Sequence, residues 1–253
     1  MNIRVKDISY CYNRVLALNH VSLEIRSRDM LAIIGQNGSG KSTLLKCLCR
    51  ILKVREGEIE LDGNPLNSIS PAKLSRLVAY IPQAEEMNTT GINVFDTVLL
   101  GRKPYIRGNP TAGDFDVVAS LLSRLELESV AMRNINTLSG GQQQRVFIAR
   151  ALAQQPSVLL LDEPIASLDI YHQMKVMQLL QQLSQEGLTI IITIHDINMA
   201  ARFCNRTLML KQGNVFASGD RSVYIPENIE HLYDIHVDVL RHKDCIYVIP
   251  QNT

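Results

Sequence analysis

Gly35-Gln36-Asn37-Gly38-Ser39-Gly40-Lys41-Ser42 decides how this sequence folds. It fits the pattern GxxxxGK[ST]. It follows Met30-Leu-Ala-Ile-Ile34, a continuous apolar run of the kind found in strands buried on both faces, and it precedes an apolar-periodic segment from Ser42 to Leu52. Strand, glycine-rich turn and helix in that order form a phosphate cradle. Backbone N–H groups close around phosphate oxygens, and the helix N-terminus adds a partial positive charge. Lys41 reaches the outer phosphates and the Ser42 hydroxyl can ligate Mg²⁺. The candidate nucleotide-binding residues here are Gly35, Asn37, Gly38, Ser39, Gly40, Lys41, Ser42 and Thr43.

Working outward, Ser157 to Leu161 and Leu188 to Ile194 are further apolar runs, each placed after a helical pattern (Gln142 to Gln154 and Ile170 to Gln185). That alternation predicts an α/β core around a parallel sheet. Val158-Leu-Leu-Leu-Asp162-Glu163 ends one of these strands in two adjacent carboxylates, at the sheet edge where open α/β folds bind ligands. Their side chains point in different directions. In a nucleotide site Asp162 would hold Mg²⁺, directly or through water, and Glu163 would face the γ-phosphate and polarise the attacking water. Taken alone, such a pair is equally a solvated strand end or a helix cap. Residues Ile3 to Ile25 alternate polar and apolar and predict antiparallel strands. From Ala84 to Leu138 the pattern is mostly helical, over Val94 to Gly101 and Asp114 to Leu127, with breaks at Lys103-Pro104 and Gly108-Asn109-Pro110. This predicts a helical lobe inserted in the core.

Leu138-Ser139-Gly140-Gly141-Gln142-Gln-Gln-Arg145 adds a second anion-binding helix terminus, with Ser139 as N-cap and two glycines baring the first amides. This segment resembles the signature of ABC ATPases, and with it the chain resembles the ATP-binding subunits of ABC transporters from about Asn2 to Gly219. The resemblance implies an α/β ABC ATPase fold with a P-loop RecA-like core, an N-terminal antiparallel β subdomain and the inserted helical lobe. It also implies ATP and Mg²⁺ as cofactors, and a homodimer in which Ser139, Gly140, Gly141 and Gln142 of one copy cap the ATP held by the other. By the same resemblance Tyr12 stacks on adenine, with Tyr10 a near competitor, and Gln83 contacts Mg²⁺ or water and links the site to the helical lobe. Asp169, in Ser167-Leu168-Asp169, crosses to the other subunit; its plain reading is the N-cap of the helix from Ile170. His195 acts as the switch contacting the γ-phosphate. The catalytic set is thus Glu163, His195 and Gln83, and the Mg²⁺ set Ser42, Gln83 and Asp162. Ile165 departs from the family, which commonly has Thr there.

Val94-Phe-Asp-Thr-Val-Leu-Leu-Gly-Arg102-Lys103-Pro104-Tyr105 resembles importers for iron-siderophore, haem and cobalamin. Physically it is an apolar helix ending in two cations and two rigid or aromatic groups, either a pocket for a short helix of a membrane partner or an amphipathic surface helix packed on its own lobe. The implied partners are a polytopic permease in two copies and, indirectly, a substrate-binding protein. Alternatives are an importer subunit for another cargo such as a metal ion, a soluble ABC protein acting on ribosomes or DNA, and a subunit that senses ATP without turning it over.

The formal net charge of +1 makes no electrostatic case for nucleic acid. With 46% apolar residues and 20% charged, the chain needs no staples to fold. Five scattered cysteines without a CxxC pair read as buried thiols in a reducing compartment. The N-terminus lacks a signal-peptide core, and the apolar runs fall far short of the roughly 20 residues that span a bilayer. The expected place is the cytoplasmic face of the membrane, held by a partner. The tail, residues 220–253, predicts a short extension packed on the core, with a helix from Ile225 to Tyr233 and a strand near Ile246 to Ile249; its His231, His236, His242 and Cys245 match no standard metal-ligand spacing.

Overall fold

The computed structural model describes residues 1–83, 91–243 and 245–251. In chain order, β1 (Ile3–Tyr12) and β2 (Val15–Ile25) form a hairpin, and β3 (Met30–Ile34) runs through the phosphate-loop sequence into α1 (Lys41–Leu48). Then come β4 (Glu56–Leu61), β5 (Asn64–Pro65), α2 (Pro71–Leu77) and β6 (Val78–Ile81). The helical lobe holds α3 (Val94–Leu99) and α4 (Ala112–Arg124), and α5 (Gly140–Ala153) leads back to β7 (Val158–Asp162). The chain continues through α6 (Ile170–Gln185), β8 (Thr189–Thr193), α7 (Ile197–Phe203), β9 (Arg206–Lys211) and β10 (Asn214–Gly219). The tail contributes α8 (Pro226–Tyr233), β11 (Val237–His242) and β12 (Cys245–Pro250).

The central sheet has the order β10-β9-β3-β8-β7-β6, with β9, β3, β8, β7 and β6 mutually parallel and β10 antiparallel at one edge. β3, β7 and β8 are buried at every residue. The two-residue side-chain period divides them between two apolar cores. Met30, Ala32, Ile34, Leu159, Leu161, Ile190 and Ile192 face the helical lobe and tail; Leu31, Ile33, Val158, Leu160 and Ile191 face α1 and the antiparallel sheet β2-β1-β4-β5. Both faces are covered, which is why these strands read as unbroken apolar runs rather than alternating ones.

Several expected boundaries shift. α1 stops at Leu48, short of Leu52, because Arg50 adopts a left-handed φ of 58° and sends its guanidinium to the carbonyls of Leu66 and Ile69 at 2.9 and 2.6 Å. α4 starts at Ala112, two residues early, since Thr111 and Asp114 form a reciprocal capping box. The expected start of the lobe at Ala84 lies outside the described residues; its described helices share one apolar core with the sheet. The thiol expectation holds for Cys47 and Cys204, which are buried with pKa values pushed up to about 12 by desolvation. Cys49 and Cys245 are half-buried and Cys11 is exposed, because it lies on the outer end of the β1–β2 hairpin opposite Leu16.

Arg102 and Tyr105 are engaged within the lobe itself. Arg102 is buried: its Nε donates to Asp114 at 2.9 Å and its Nη1 to the Ala153 carbonyl at 2.9 Å. Tyr105 donates to the Gln154 carbonyl at 3.0 Å, and the guanidinium groups of Arg76 and Arg102 lie 4.6 and 4.1 Å from its ring centre. These side chains brace α3 and α4 against the end of α5, so the reading of the cluster as packing on its own lobe prevails. A Cβ on Gly101 would stand 2.0 Å from the Arg150 carbonyl oxygen and 2.8 Å from the Ala153 Cβ. Gly101→Ala is therefore expected to cost about 2 kcal/mol by overpacking, read as a thermal midpoint lowered by about 4 to 8 °C in calorimetry.

Candidate functional site

The parallel register brings the carboxyl ends of β3, β6, β7 and β8 to one sheet edge, with Asp162 beside Thr193 and Ile81 beside Leu161. After β3 the chain turns through Gly40, whose φ of 101° and 2.4 Å gap between an added Cβ and the Ala17 carbonyl admit only glycine. Lys41 is buried, its Nζ donating to the carbonyls of Gly35 and Gln36 at 3.0 and 3.1 Å. Desolvation lowers the Lys41 pKa, opposed by the charges of Glu163 and Asp162. An arriving polyphosphate supplies the negative charge that this burial otherwise withholds from the ammonium. Ser39 Oγ is buried and has no hydrogen-bond partner among the described residues, an orphan that a phosphate oxygen would satisfy.

Asp162 is 2% exposed and heavily bonded: Oδ1 accepts from Ser42 Oγ at 3.0 Å and Thr193 Oγ1 at 2.7 Å, and Oδ2 from the Tyr80 hydroxyl at 3.3 Å. The next residue, Glu163, has a left-handed φ of 50°. A non-glycine residue there costs about 1 kcal/mol or more. The turn separates the two carboxylates: Asp162 faces Ser42, while Glu163 accepts from Gln83 Nε2 at 2.6 Å on Oε2 and meets His195 Nε2 at 2.5 Å on Oε1. A small cavity lined by Glu163, Thr193 and His195 opens beside them.

The residues fit Mg²⁺. Ser42 and Asp162 offer hard oxygen donors 3.0 Å apart, close to the about 2.9 Å between neighbouring ligands of an octahedral ion of that size. The Gln83 side chain is hydrogen-bonded to Glu163, beside the Ser42–Asp162 pair. Tyr12 ends β1, is 44% exposed, and meets Tyr10 edge-to-face at 5.0 Å between ring centres; its hairpin borders the phosphate loop through Ala17. Asn37 and Gly38 are exposed on the loop, and Thr43 is buried in the first turn of α1.

Ser139 and Gly140 are exposed at the start of α5, and Ser139 forms the capping box with Gln142. Among the described residues no hydrogen bond joins this segment to the phosphate loop of the same chain. Gly141 instead packs on α6, where an added Cβ would lie 2.2 Å from the His172 ring. Asp169 caps α6, accepting from the His172 amide at 2.8 Å and meeting its Nδ1 at 2.9 Å. Ile165 is buried, and its carbonyl accepts from Gln173 at 3.1 Å, so the loop after Glu163 is held by backbone where Thr is usual.

Residues 18–166 match the sequence model of the ABC transporter family. The chain belongs to this family. A hemin import ATP-binding protein of Deinococcus radiodurans is 40% identical over 247 residues, covering 95% of this chain and 93% of the relative. A metal-chelate type ABC transporter solved in an inward-facing conformation superposes with a TM-score of 0.85 at 30% identity, over 99% of this chain and 97% of that one. A dimeric ATP-binding cassette in a post-hydrolysis state with ADP and Pi superposes with a TM-score of 0.75 at 33% identity, over 87% of this chain and 98% of that one.

Two residues of this ABC ATPase site escape motif reading. Thr193 donates to Asp162 and accepts from the Glu163 amide at 2.8 Å, so one hydroxyl ties both carboxylate residues in place. The only sequence signal is a threonine closing the run Thr189-Ile-Ile-Ile-Thr193. Tyr80 stands three residues before Gln83 and reaches Asp162. Thr193→Val leaves the Glu163 amide without its acceptor and removes a donor from buried Asp162; urea unfolding is expected to show a loss of about 1 to 3 kcal/mol, which Thr193→Ser restores.

Proposed function

We propose that this chain is the ATP-hydrolysing subunit that powers a membrane importer for an iron-siderophore, haem or cobalamin type chelate. The observation that carries it is the Gln83–Glu163–His195 array set beside the Ser42–Asp162 pair and Lys41. Similarity to a hemin import subunit and to a metal-chelate type transporter supports the cargo class.

Lys41 exchanges its two loop carbonyls for outer phosphate oxygens, and the N-terminal amides of α1 and Ser39 hold the rest of the phosphate chain. Ser42 and Asp162 hold Mg²⁺, which, when bound, neutralises charge on the phosphates. Glu163 releases one oxygen from Gln83 or His195 to accept a proton from water, whose oxygen bonds the γ-phosphorus as the bond to the β–γ bridging oxygen breaks. Gln83 and His195 orient that carboxylate and, through His195, the γ-phosphate. Tyr12 stacks on the adenine at the hairpin edge.

Ser139 and Gly140 are exposed at the start of α5 and make no hydrogen bond to their own phosphate loop among the described residues, which favours capping of ATP in a second copy. Asp169 lies on the same face, next to the exposed Ile170 and Tyr171, an apolar pair that a second copy covers. A dimeric relative supports this arrangement. Among the described residues no helix is long and apolar enough to cross a membrane. In this reading the span is supplied by a permease, taken here as two copies fed by a substrate-binding protein, with this chain on the cytoplasmic face. Residues 1–219 carry the ATPase and 220–253 an extension packed on it.

Glu163→Gln is expected to lower turnover roughly a hundred- to ten-thousand-fold while ATP still binds, with steady-state phosphate release and equilibrium binding as the two readouts. In ATP and Mg²⁺ the same variant should run at twice the monomer mass in light scattering. Captured from native membranes, it should bring down a polytopic permease of the chelate class; a permease of another class removes the cargo assignment, and no permease at all removes the importer reading.

A further inference from the structure

The tail reaches the phosphate site from two sides. Asp234, which ends α8 in a left-handed conformation, accepts from Gln36 Nε2 of the phosphate loop at 3.1 Å on Oδ2 and from Lys211 Nζ at 2.8 Å on Oδ1. Lys211 also donates to the His231 carbonyl, fixing the last turn of α8 to the end of β9. The turn after Lys211 holds the loop as well, the Gly213 amide donating to the Ser39 carbonyl at 3.0 Å. Tyr233, the neighbour of Asp234, is half-buried with its hydroxyl against the Gly35 backbone; burial raises its pKa to about 12, and the Gly35 contact opposes that rise. Lys211 first, then Gln36, hold the Asp234 carboxyl below the ordinary aspartate range, so it is ionised at neutral pH.

On the other side, β12 grips the helix that follows the switch residue. The Val248 amide donates to Asn198 Oδ1 at 2.7 Å, and Asn198 Nδ2 donates back to the Val248 carbonyl at 3.2 Å. Asn198 stands three residues after His195, in the first turn of α7, which Asp196 caps. β12 pairs in turn with β11, and Val237 and Val248 share the apolar core that contains Ile229 and Leu232 of α8. One small structure thus touches the loop after β3 and the helix after β8.

We infer that the C-terminal extension is a positioning element for the ATPase site: Asp234 sets the phosphate loop through Gln36, and β12 sets His195 through Asn198. This rests on the proposed function, since it assumes that the loop holds ATP. The extension cannot be tested by removal, because Tyr224, Ile229 and Leu232 are buried in the main core. Gln36–Asp234 is an exposed contact, and such contacts carry a small effect.

The test uses the full chain and the variants Gln36→Ala, Asp234→Ala and the double, with Mg·ATP affinity measured by equilibrium binding. Each single change is expected to weaken binding about two- to five-fold, the range of one exposed charge-assisted contact, and the double should be no weaker than the weaker single. Asn198→Ala should lower turnover per titrated ATP site several-fold with affinity unchanged, a split that a general loss of stability does not produce. Effects that multiply in the double variant, unchanged affinity in both singles, or an Asn198→Ala turnover equal to the parent would each overturn the inference. Failure of the parent chain to bind ATP removes the nucleotide site itself; ATP binding with multiplying effects removes only the role of the extension.

Discussion

Asp162 is a carboxylate carried to the end of a wholly apolar strand, and its burial is the constraint that the rest of the site accommodates. A charge with so little access to water needs donors, since an unpaired one costs several kcal/mol. Ser42, Thr193 and Tyr80 supply them from three different segments, after β3, in β8 and in β6. Each partner is positioned by the parallel register, because Asp162 lies opposite Thr193 only when β7 and β8 pair as they do. Satisfying this one group therefore aligns the phosphate loop with the strands beside it. The left-handed turn at Glu163 separates this carboxylate from the one that meets Gln83 and His195.

The same geometry borders the helical lobe. Gln83 holds Glu163 from the end of β6, the strand after which the chain enters the helical lobe. Within that lobe, Arg102 joins α4, through Asp114, to the C-terminal end of α5, through the Ala153 carbonyl. α5 begins at the signature, so the lobe helices and the signature amides form one braced unit.

The tail adds a second set of contacts. Its apolar residues merge with the core facing the lobe, while its polar contacts end on Gln36 and Asn198. The site is thus framed by the lobe through Gln83 and by the extension through Asp234 and Asn198. Two histidines of the tail make contacts nearby, His231 stacked on Phe216 and His236 bonded to Glu230, and no metal-ligating cluster occurs among the described residues.

What the sequence by itself determined was local. The strand–loop–helix at Met30 to Leu48, the capped starts at Ser139 and Asp169, and the span of α6 all follow from patterns a few residues long, where periodicity, capping and glycine freedom act within one segment. The candidates Lys41, Ser42, Asp162, Glu163, Gln83 and His195 were legible because family motifs mark each one separately. Only the tertiary structure decided how they meet. The roles of Thr193 and Tyr80, the closing of Arg102 and Tyr105 into the lobe, and the approach of Asp234 and Asn198 to the site all depend on contacts between residues dozens to nearly two hundred positions apart. Such contacts arise from sheet register and from packing of distant segments, and no short pattern in the chain encodes either.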